Sequence, residues 1–292
     1  MAPLPALRTT LGKCPVFPKS NAWNKDISKL PVHKKSKAWV KSIGSSKKLH
    51  PDFGTSWNGA PIGIPYVTVT DATKKVPVKF RYKSESDKGP YPIPKNAPIE
   101  GGKNSKGDRH VIVINTSTCK LYELWDARPV DGGKSWTAGS GAIFNLKSNK
   151  LRPAGWTSAD AAGLPIFPGL VRYDEVKAGK ITHALRFTVS KTQAGYISPA
   201  RHFASSSTDA NRPPMGARFR LKKSYSCAKY SKEVRVICAA LKKYGMIVAD
   251  NGSDWYVSGQ HDKRWSDARL GDLKKIPGSA FEAVDTGPIK KR

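Results

Sequence analysis

The stretch GDRHVIVINTSTCKLYELWD, residues 107–126, predicts two β-strands joined by a short polar turn. β-branched and aromatic residues dominate residues 109–114 and 119–125, and the residues between these arms are small and polar. In a hairpin with a four-residue loop, His110 lies opposite Glu123. Because side chains alternate between the two faces of a strand, one set of them shares a face. These are His110, Ile112, Ile114, Cys119, Leu121, Glu123 and Trp125.

The shared face of this hairpin is apolar near the turn and carries ionisable side chains at its far end. A core-facing strand pair that ends in His110 and Glu123 beside Trp125 predicts the rim of a cleft. The alternative is that the pair only caps the edge of a sheet. A register shift of one residue would separate the two side chains, because it moves every side chain of one strand to the other face.

Alternating apolar and polar residues recur along the chain, as in residues 76–82, 181–189 and 217–222. This period of two is typical of antiparallel strands with one buried face. The 292 residues include 25 Gly and 22 Pro, a composition that favours many turns and short strands over helix bundles. The sequence therefore predicts a mainly β protein, an antiparallel β-sandwich or jelly roll with long Pro- and Gly-rich loops.

One strong helix is predicted at residues 231–244, where Ser231 can cap the first turn and Gly245 ends the apolar period. A long connection, residues 84–106, is rich in Pro, Gly and charge. Loops of that length are often functional or disordered, and the prolines and glycines here favour an ordered, extended segment. We expect residues 1–30 to form an extended N-terminal arm and residues 31–292 to form a single β-sandwich domain.

The chain is very basic, with 51 Lys and Arg against 22 Asp and Glu and a formal net charge of +29. Such a charge attracts polyanions but says nothing about the fold. The basic residues are spread singly or in pairs, without an arginine tract or a zinc-finger spacing, so nucleic acid is a disfavoured partner. An acidic polysaccharide or a charged cell wall would be attracted by the same field.

The four cysteines, Cys14, Cys119, Cys227 and Cys238, form a sparse set without a C-x-x-C motif and favour two disulfides over a metal site. Cys227 and Cys238 can pair locally, which leaves Cys14 to tie the arm to the hairpin at Cys119. Disulfides indicate a secreted protein. The first residues lack an apolar signal region, so we expect that a signal peptide has been removed, and no stretch approaches the length of a membrane span.

Polar residues that end core-facing strands should collect on a concave sheet face. In residues 181–189, His183 and Arg186 are three positions apart and so point to opposite faces of the strand, and at most one of them can face such a groove without a bulge. Ser158 is predicted to cap a short helical turn that carries Asp160. The candidate catalytic residues are His110, Glu123, His183, His202, Asp250 and Tyr256, and the candidate substrate-binding residues are Trp125, Arg186 and Arg201.

Three chemistries fit these residues. Glu123 with Asp126 or Asp250 could act as general acid and base in glycoside hydrolysis. A histidine, with a tyrosine or an arginine, could abstract a proton beside a uronate carboxylate that an arginine neutralises. His110, His183 and His202 could instead bind zinc or copper, although no short ligand spacing supports them, and no cofactor is predicted.

The leading hypothesis is a secreted glycan-directed enzyme, a glycosidase or lyase, that acts on an acidic extracellular polysaccharide. It rests on the basic charge, the disulfides, the expected groove and eight tryptophans that could stack on sugars. One alternative is a non-enzymatic extracellular carbohydrate-binding or structural protein. A second is a metal-dependent oxidative enzyme with histidine ligands.

Six segments together resemble a group of secreted microbial proteins. They are RHVIVINTSTCKLYELWDA, GSGAIFNL, GWTSADAAGLPIFPGLVRYDEV, HALRFTV, PPMGARFRLK and YGMIVADNGSDWY. The resemblance covers about residues 14–285 of this sequence. It implies export and a single compact domain, and it assigns no catalytic residue.

Overall fold

The computed structural model describes residues 11–291, and strands are its main regular structure. The strands are β1 (His50–Asp52), β2 (Ser56–Trp57), β3 (Ala60–Pro61), β4 (Tyr66–Val69), β5 (Val78–Phe80), β6 (Val111–Asn115), β7 (Lys120–Trp125), β8 (Arg128–Val130), β9 (Ser135–Ala138), β10 (Ser140–Asn145), β11 (Leu185–Val189), β12 (Arg218–Leu221), β13 (Met246–Asn251), β14 (Tyr256–Ser258) and β15 (Phe281–Val284). The α-helices are α1 (Ser36–Ile43), α2 (Tyr173–Lys177), α3 (Lys232–Lys243) and α4 (Asp267–Leu270).

Two sheets dominate the described part of the chain. The larger has six strands in the order β1-β14-β11-β13-β12-β15, and the smaller has four in the order β10-β7-β6-β4. The predicted β-rich fold is confirmed. The prediction of a purely antiparallel arrangement is wrong, because β1 and β14, β11 and β13, and β4 and β6 pair in parallel. Parallel neighbours need a long crossover connection, and the one between β11 and β13 contains β12 and α3.

The hairpin of β6 and β7 forms with a register two residues away from the predicted one. Ile112 lies opposite Glu123, and Ile114 lies opposite Leu121. The cause is the turn: Asn115 pairs with Lys120 in the ladder, and its side chain accepts hydrogen bonds from the backbone N–H groups that follow it. A shift of two residues preserves the faces, so the predicted apolar face is the one that enters the core.

Each face of the four-stranded sheet packs into its own apolar cluster. Ile112, Ile114 and Leu121 belong to the large core that also contains Phe187 of the six-stranded sheet. The opposite face, with Val113, packs against the three-stranded sheet β5-β9-β8 in a smaller cluster. The two main sheets therefore share one core, and α1 and α3 pack against β15 and β12.

The predicted C-terminal-half helix is confirmed as α3. The Ser231 hydroxyl accepts a hydrogen bond from the N–H of Val234, as a helix cap should. Gly245 follows the helix with φ +67°, a conformation that strains other residues. Val234 and Leu241 are fully buried, so the apolar face of the helix lies in the core.

Both predicted disulfides form. Cys227 bonds Cys238 beside α3, and Cys14 bonds Cys119 in the hairpin turn. The second bond fixes the N-terminal segment onto the four-stranded sheet. Among residues 11–291, no helix combines the length and the apolar character that crossing a membrane requires. Residues 1–10 of the predicted arm lie outside the described residues.

Candidate active site

A cavity of about 580 Å³ opens where the two main sheets approach each other, and we call it the main cavity. The six-stranded sheet contributes Asp52, Arg186 and Asp250, and the four-stranded sheet contributes Trp125 and Ser140. Connecting segments complete the lining. Among them are Glu100, Asp108, His110, Asp160 and His202.

Strand register builds the sheet side of the main cavity. Asp52 of β1 lies opposite Ser258 of β14, and the Ser258 hydroxyl contacts the guanidinium of Arg186 on β11. The neighbouring row holds Tyr256, Thr188 and Asp250, on β14, β11 and β13. Polar residues on one sheet face thus form two adjacent rows along the cavity.

A β-bulge places Asp250 in its row. Phe187 lies opposite Val248, whereas the next residue, Thr188, lies opposite Asp250, so Ala249 is an extra residue in β13. In a regular ladder Ala249 would pair with Thr188, and Asp250 would point to the core. The extra residue moves Asp250 to the cavity face, and bulges often re-aim a side chain in this way beside active sites.

Arg186 forms an ion pair with Asp160 in the main cavity. Its Nε and Nη2 donate to Oδ2 of Asp160 at 3.3 and 3.1 Å, and its Nη1 donates to Ser258 Oγ at 2.6 Å. Asp250 Oδ2 accepts from the N–H of Ala161 at 3.2 Å, so both acids meet the same short segment. His183 and Arg186 were expected not to face the groove together, and of the two it is Arg186 that lines the cavity.

Burial makes Asp160 and Asp250 weaker acids than ordinary aspartates. It raises the pKa of both carboxyl groups, and the nearby charge of Arg186 offsets the effect only in part. The negative charge of Asp250 also raises the pKa of Asp160, because two close carboxylates resist ionising together. The pair therefore keeps a proton at a higher pH than an isolated aspartate would.

His110 is held as a cation. Its Nδ1 contacts Glu100 Oε2 at 2.6 Å, and its Nε2 contacts the carbonyl oxygen of Ala159 at 3.0 Å. Both partners are acceptors, so both ring nitrogens donate, and an imidazole does this only when protonated. Burial lowers the pKa of His110, but the charge and hydrogen bond of Glu100 outweigh it and raise the pKa to about 9.

Glu123 is adjacent to this site but sealed from it. The residue is 0% exposed, and its carboxylate accepts hydrogen bonds from the N–H groups of Ile166 and Phe167. It thereby fixes the segment after Pro165 against β7. Asp126, its predicted partner, is half-buried outside the main cavity and pairs with Arg128 at 2.8 Å.

The other predicted site residues separate into two groups. His202 and Tyr256 line the main cavity, together with His110, Trp125, Arg186 and Asp250. His183 lies elsewhere: it is buried and contacts Glu175 Oε2 at 3.1 Å and the carbonyl of Ala184 at 2.8 Å. Arg201 also lies outside the lining, where its Nε donates to the carbonyl of Arg152.

The three histidines of the metal hypothesis do not meet. Both ring nitrogens of His183 have partners away from the cavity that His110 and His202 line. Residues 11–291 contain no group of three or more His, Cys, Asp or Glu side chains arranged to hold a metal ion. The geometry gives no support to a site that uses these three histidines together.

Aromatic rings line part of the main cavity. Trp125 and Tyr82 stack with 6.2 Å between their ring centroids, and the guanidinium of Arg81 lies 5.1 Å from the Trp125 ring. The Trp125 N–H donates to Asp108, which fixes the orientation of the indole. Tyr256 stacks on His50 at 4.1 Å. Rigid, partly exposed rings of this kind suit the apolar faces of sugars.

Several residues that line the main cavity were not predicted from the sequence. Asp160 lies in a bend rather than the predicted helical turn, because Ser158 Oγ bonds within the bend instead of capping a helix. Glu100 belongs to the long loop of residues 84–106, in which no residue was predicted to belong to the site. Asp52 had no distinguishing signal, since its strand has only three residues and pairs with a strand far along the chain.

The main cavity is acidic although the protein is basic. Five carboxylates line it, those of Asp52, Glu100, Asp108, Asp160 and Asp250. The cations Arg186 and His110 offset two of these charges and are themselves bound to Asp160 and Glu100. The cavity therefore carries the opposite sign to the chain as a whole, whose net charge is +29.

Comparison with known proteins adds no family. No family model matches this chain, and no curated protein and no solved structure is significantly similar to it.

The buried Glu123 should make stability depend on pH. Burial raises its pKa from 4.5 to about 7, against the opposing effect of its backbone hydrogen bonds. The folded protein thus holds this proton more tightly than the unfolded chain, so the contribution is complete below pH 4.5 and is lost as the pH rises through 7. Such a shift corresponds to about 3 kcal/mol. Glu123→Gln should remove that part of the pH dependence.

Urea unfolding at acidic pH and at about pH 8 measures this difference. Glu282→Gln is the matched control, because Glu282 is partly exposed and pairs with Arg220 at 2.8 Å. An identical pH slope in wild type and Glu123→Gln would contradict the assignment.

Proposed function

We propose that this protein is a secreted enzyme that hydrolyses a glycan in the main cavity, with Asp250 as the general acid. The observation that carries the proposal is the bulge-positioned Asp250, a half-buried residue whose carboxyl pKa is raised, which faces a cavity with further carboxylates and aromatic rings. Two carboxyl groups of different protonation are what glycoside hydrolysis needs. The two disulfides support the extracellular location.

Asp52 is the proposed second carboxylate. It lines the main cavity and forms no side-chain hydrogen bond or ion pair within residues 11–291. Burial and the charge of Glu100 raise the pKa of its carboxyl group, which makes the ionised form a stronger base than an exposed aspartate. Asp52 and Asp250 lie on β1 and β13, which β14 and β11 separate. Three strand spacings put their Cα atoms about 14 Å apart across the sheet, so the two side chains must lean towards each other over the cavity to reach the separation of about 6.5–9.5 Å that an inverting hydrolase uses.

The proposed reaction is a simple hydrolysis. Asp250 donates its proton to the glycosidic oxygen as the bond from that oxygen to the anomeric carbon breaks. Asp52 takes a proton from the water whose oxygen joins the anomeric carbon. Asp160, ion-paired to Arg186, holds that cation beside Asp250, whose proton is retained because burial raises its pKa.

The lyase alternative finds less support at this site. Elimination needs a base and a cation that neutralises the uronate carboxylate. His110 is already protonated by its contact with Glu100, and Arg186 is already paired with Asp160. A carbohydrate-binding protein remains the second candidate, favoured by the ring pair of Trp125 and Tyr82.

The acidic lining also changes the expected substrate. The basic overall charge suggested an acidic polysaccharide, but the sugar at the cleavage point would meet the carboxylates of Asp52, Glu100 and Asp108. A uronate there would experience repulsion, whereas a neutral sugar or a protonated amino sugar would not. The basic outer surface can still hold the enzyme on an anionic cell wall.

A panel of polysaccharides tests the function. Wild-type protein should release reducing ends from a neutral or amino-sugar polymer and leave uronate polymers intact. Absorbance from unsaturated sugars should stay at the background level. Release of unsaturated products would support the lyase chemistry, and binding without any cleavage across the panel would support the binding protein.

A further inference from the structure

A second cavity, of about 370 Å³, lies beside the N-terminal segment, and we call it the arm cavity. Its lining comes from several distant parts of the chain, and its polar residues are of most interest. Ala22 and Lys25 precede α1, Arg218 lies on β12, and Asp285 and Thr286 follow β15. Neither the disulfides nor the proposed catalysis uses these residues.

Arg218 is a buried cation without an anionic partner. The residue is 3% exposed, and no carboxylate within residues 11–291 forms an ion pair with it, so the negative charge of Asp26 acts on it only from a distance. Its guanidinium instead donates to backbone carbonyls: Nε and Nη2 to Tyr244, Nη1 to Ala22 and Nη2 also to Lys25. A guanidinium has five N–H groups, so one on Nη1 remains without an acceptor in the described chain.

Thr286 adds an independent observation. Its hydroxyl oxygen is buried and has no hydrogen-bond partner in the described part of the chain, although it lines the same cavity. A buried polar group without a partner costs free energy, and so does a buried charge without a counter-ion. One ligand with several acceptor oxygens and a negative charge would satisfy both groups.

We propose that the arm cavity binds a small oxyanion between Arg218 and Thr286, with Lys25 at its edge. Phosphate and a sugar carboxylate share the required chemistry, because each offers oxygens for the free N–H and the hydroxyl. Asp285 also lines the cavity, but it is exposed and its Oδ1 accepts from the N–H of Gly287. The bound anion would connect the N-terminal segment to the end of the chain.

Titration calorimetry with inorganic phosphate and, separately, with glucuronate tests this site. Saturable binding is expected for at least one of them, and the stronger ligand identifies the source of the anion. Thr286→Val should weaken that binding about tenfold, because it removes one hydrogen bond to a charged group and keeps the shape. Asp285→Asn should strengthen it, because it removes a negative charge from the lining.

Two lysine variants separate this site from the general attraction of a basic protein for anions. Lys25→Gln and Lys29→Gln remove the same charge from exposed positions, but only Lys25 lines the arm cavity. Lys25→Gln should weaken binding, and Lys29→Gln should leave it unchanged. Equal binding by wild type and Thr286→Val, equal effects of the two lysine variants, or no binding of either anion would overturn the proposal.

Discussion

Replacing Asp250 by Asn should lower turnover of the cleaved glycan by a factor of about 10² to 10⁴, the usual contribution of a general acid. The amide has the shape of the carboxyl group but cannot give up a proton at the required strength. Folding should be preserved, because the variant removes a carboxyl whose ionisation burial already opposes. Initial rates and thermal melting of the purified variant measure both effects.

Asp126→Asn is the control for this experiment. Asp126 is another carboxylate near the end of β7, but it is half-buried beside Arg128 and outside the cavity lining. Its backbone has φ 51°, a conformation that Asn tolerates well. Turnover should stay near the wild-type value in Asp126→Asn. Retention of activity in Asp250→Asn would remove Asp250 from the proposed mechanism.

Removing the disulfide between Cys14 and Cys119 should destabilise the protein more than removing the disulfide between Cys227 and Cys238. The bond links residues 105 positions apart, and loop-closure entropy of that size corresponds to about 5 kcal/mol. Cys227 and Cys238 are only 11 positions apart, which corresponds to about 3 kcal/mol. The double variants Cys14→Ala/Cys119→Ala and Cys227→Ala/Cys238→Ala allow a direct comparison.

Thermal melting distinguishes the two bonds. The loss of the longer-range bond should lower the melting temperature by about 10 °C or more, and the loss of the local bond should lower it less. Since the Cys14 bond fixes the N-terminal segment to the hairpin, its removal should also expose that segment to proteases. A larger effect from the local bond would show that strain or packing, rather than chain entropy, decides the outcome.

Local patterns in the sequence were sufficient for much of the fold. The alternation in residues 107–126 predicted a hairpin and its buried face, and the helix period with Ser231 predicted α3. The predicted register of the hairpin was wrong, because whether Asn115 lies in the ladder or in the loop depends on its side-chain hydrogen bonds. Such a difference of two residues is invisible to a pattern with a period of two.

The parallel pairings could not be read from local patterns. β1 and β14 are separated by most of the chain, and each has only three residues, so neither shows a period that reveals its partner. The net charge of the chain did not reveal the acidic lining of the main cavity either. It describes the whole surface, whereas the acids of the main cavity come from separate segments that converge only in the folded protein.

Histidine and carboxylate residues at strand ends predicted some residues of the site correctly and others wrongly. His110, Tyr256 and Asp250 do reach the main cavity, but Asp250 arrives there through a bulge that no alternation pattern encodes. Glu123 lies on the predicted face of its strand but is buried below the cavity, because the burial of a strand residue depends on which segments cover it. In this fold the segment with Ile166 covers Glu123.

The most direct test of the proposed hydrolysis is a crystal structure of Asp250→Asn with an oligosaccharide of the polymer that the wild type cleaves. We expect the chain of sugars to cross the main cavity, with one ring on Trp125 and a glycosidic oxygen within hydrogen-bond distance of the new amide. An oligosaccharide bound away from the main cavity, or bound there with position 250 out of reach of every glycosidic oxygen, would contradict the central claim.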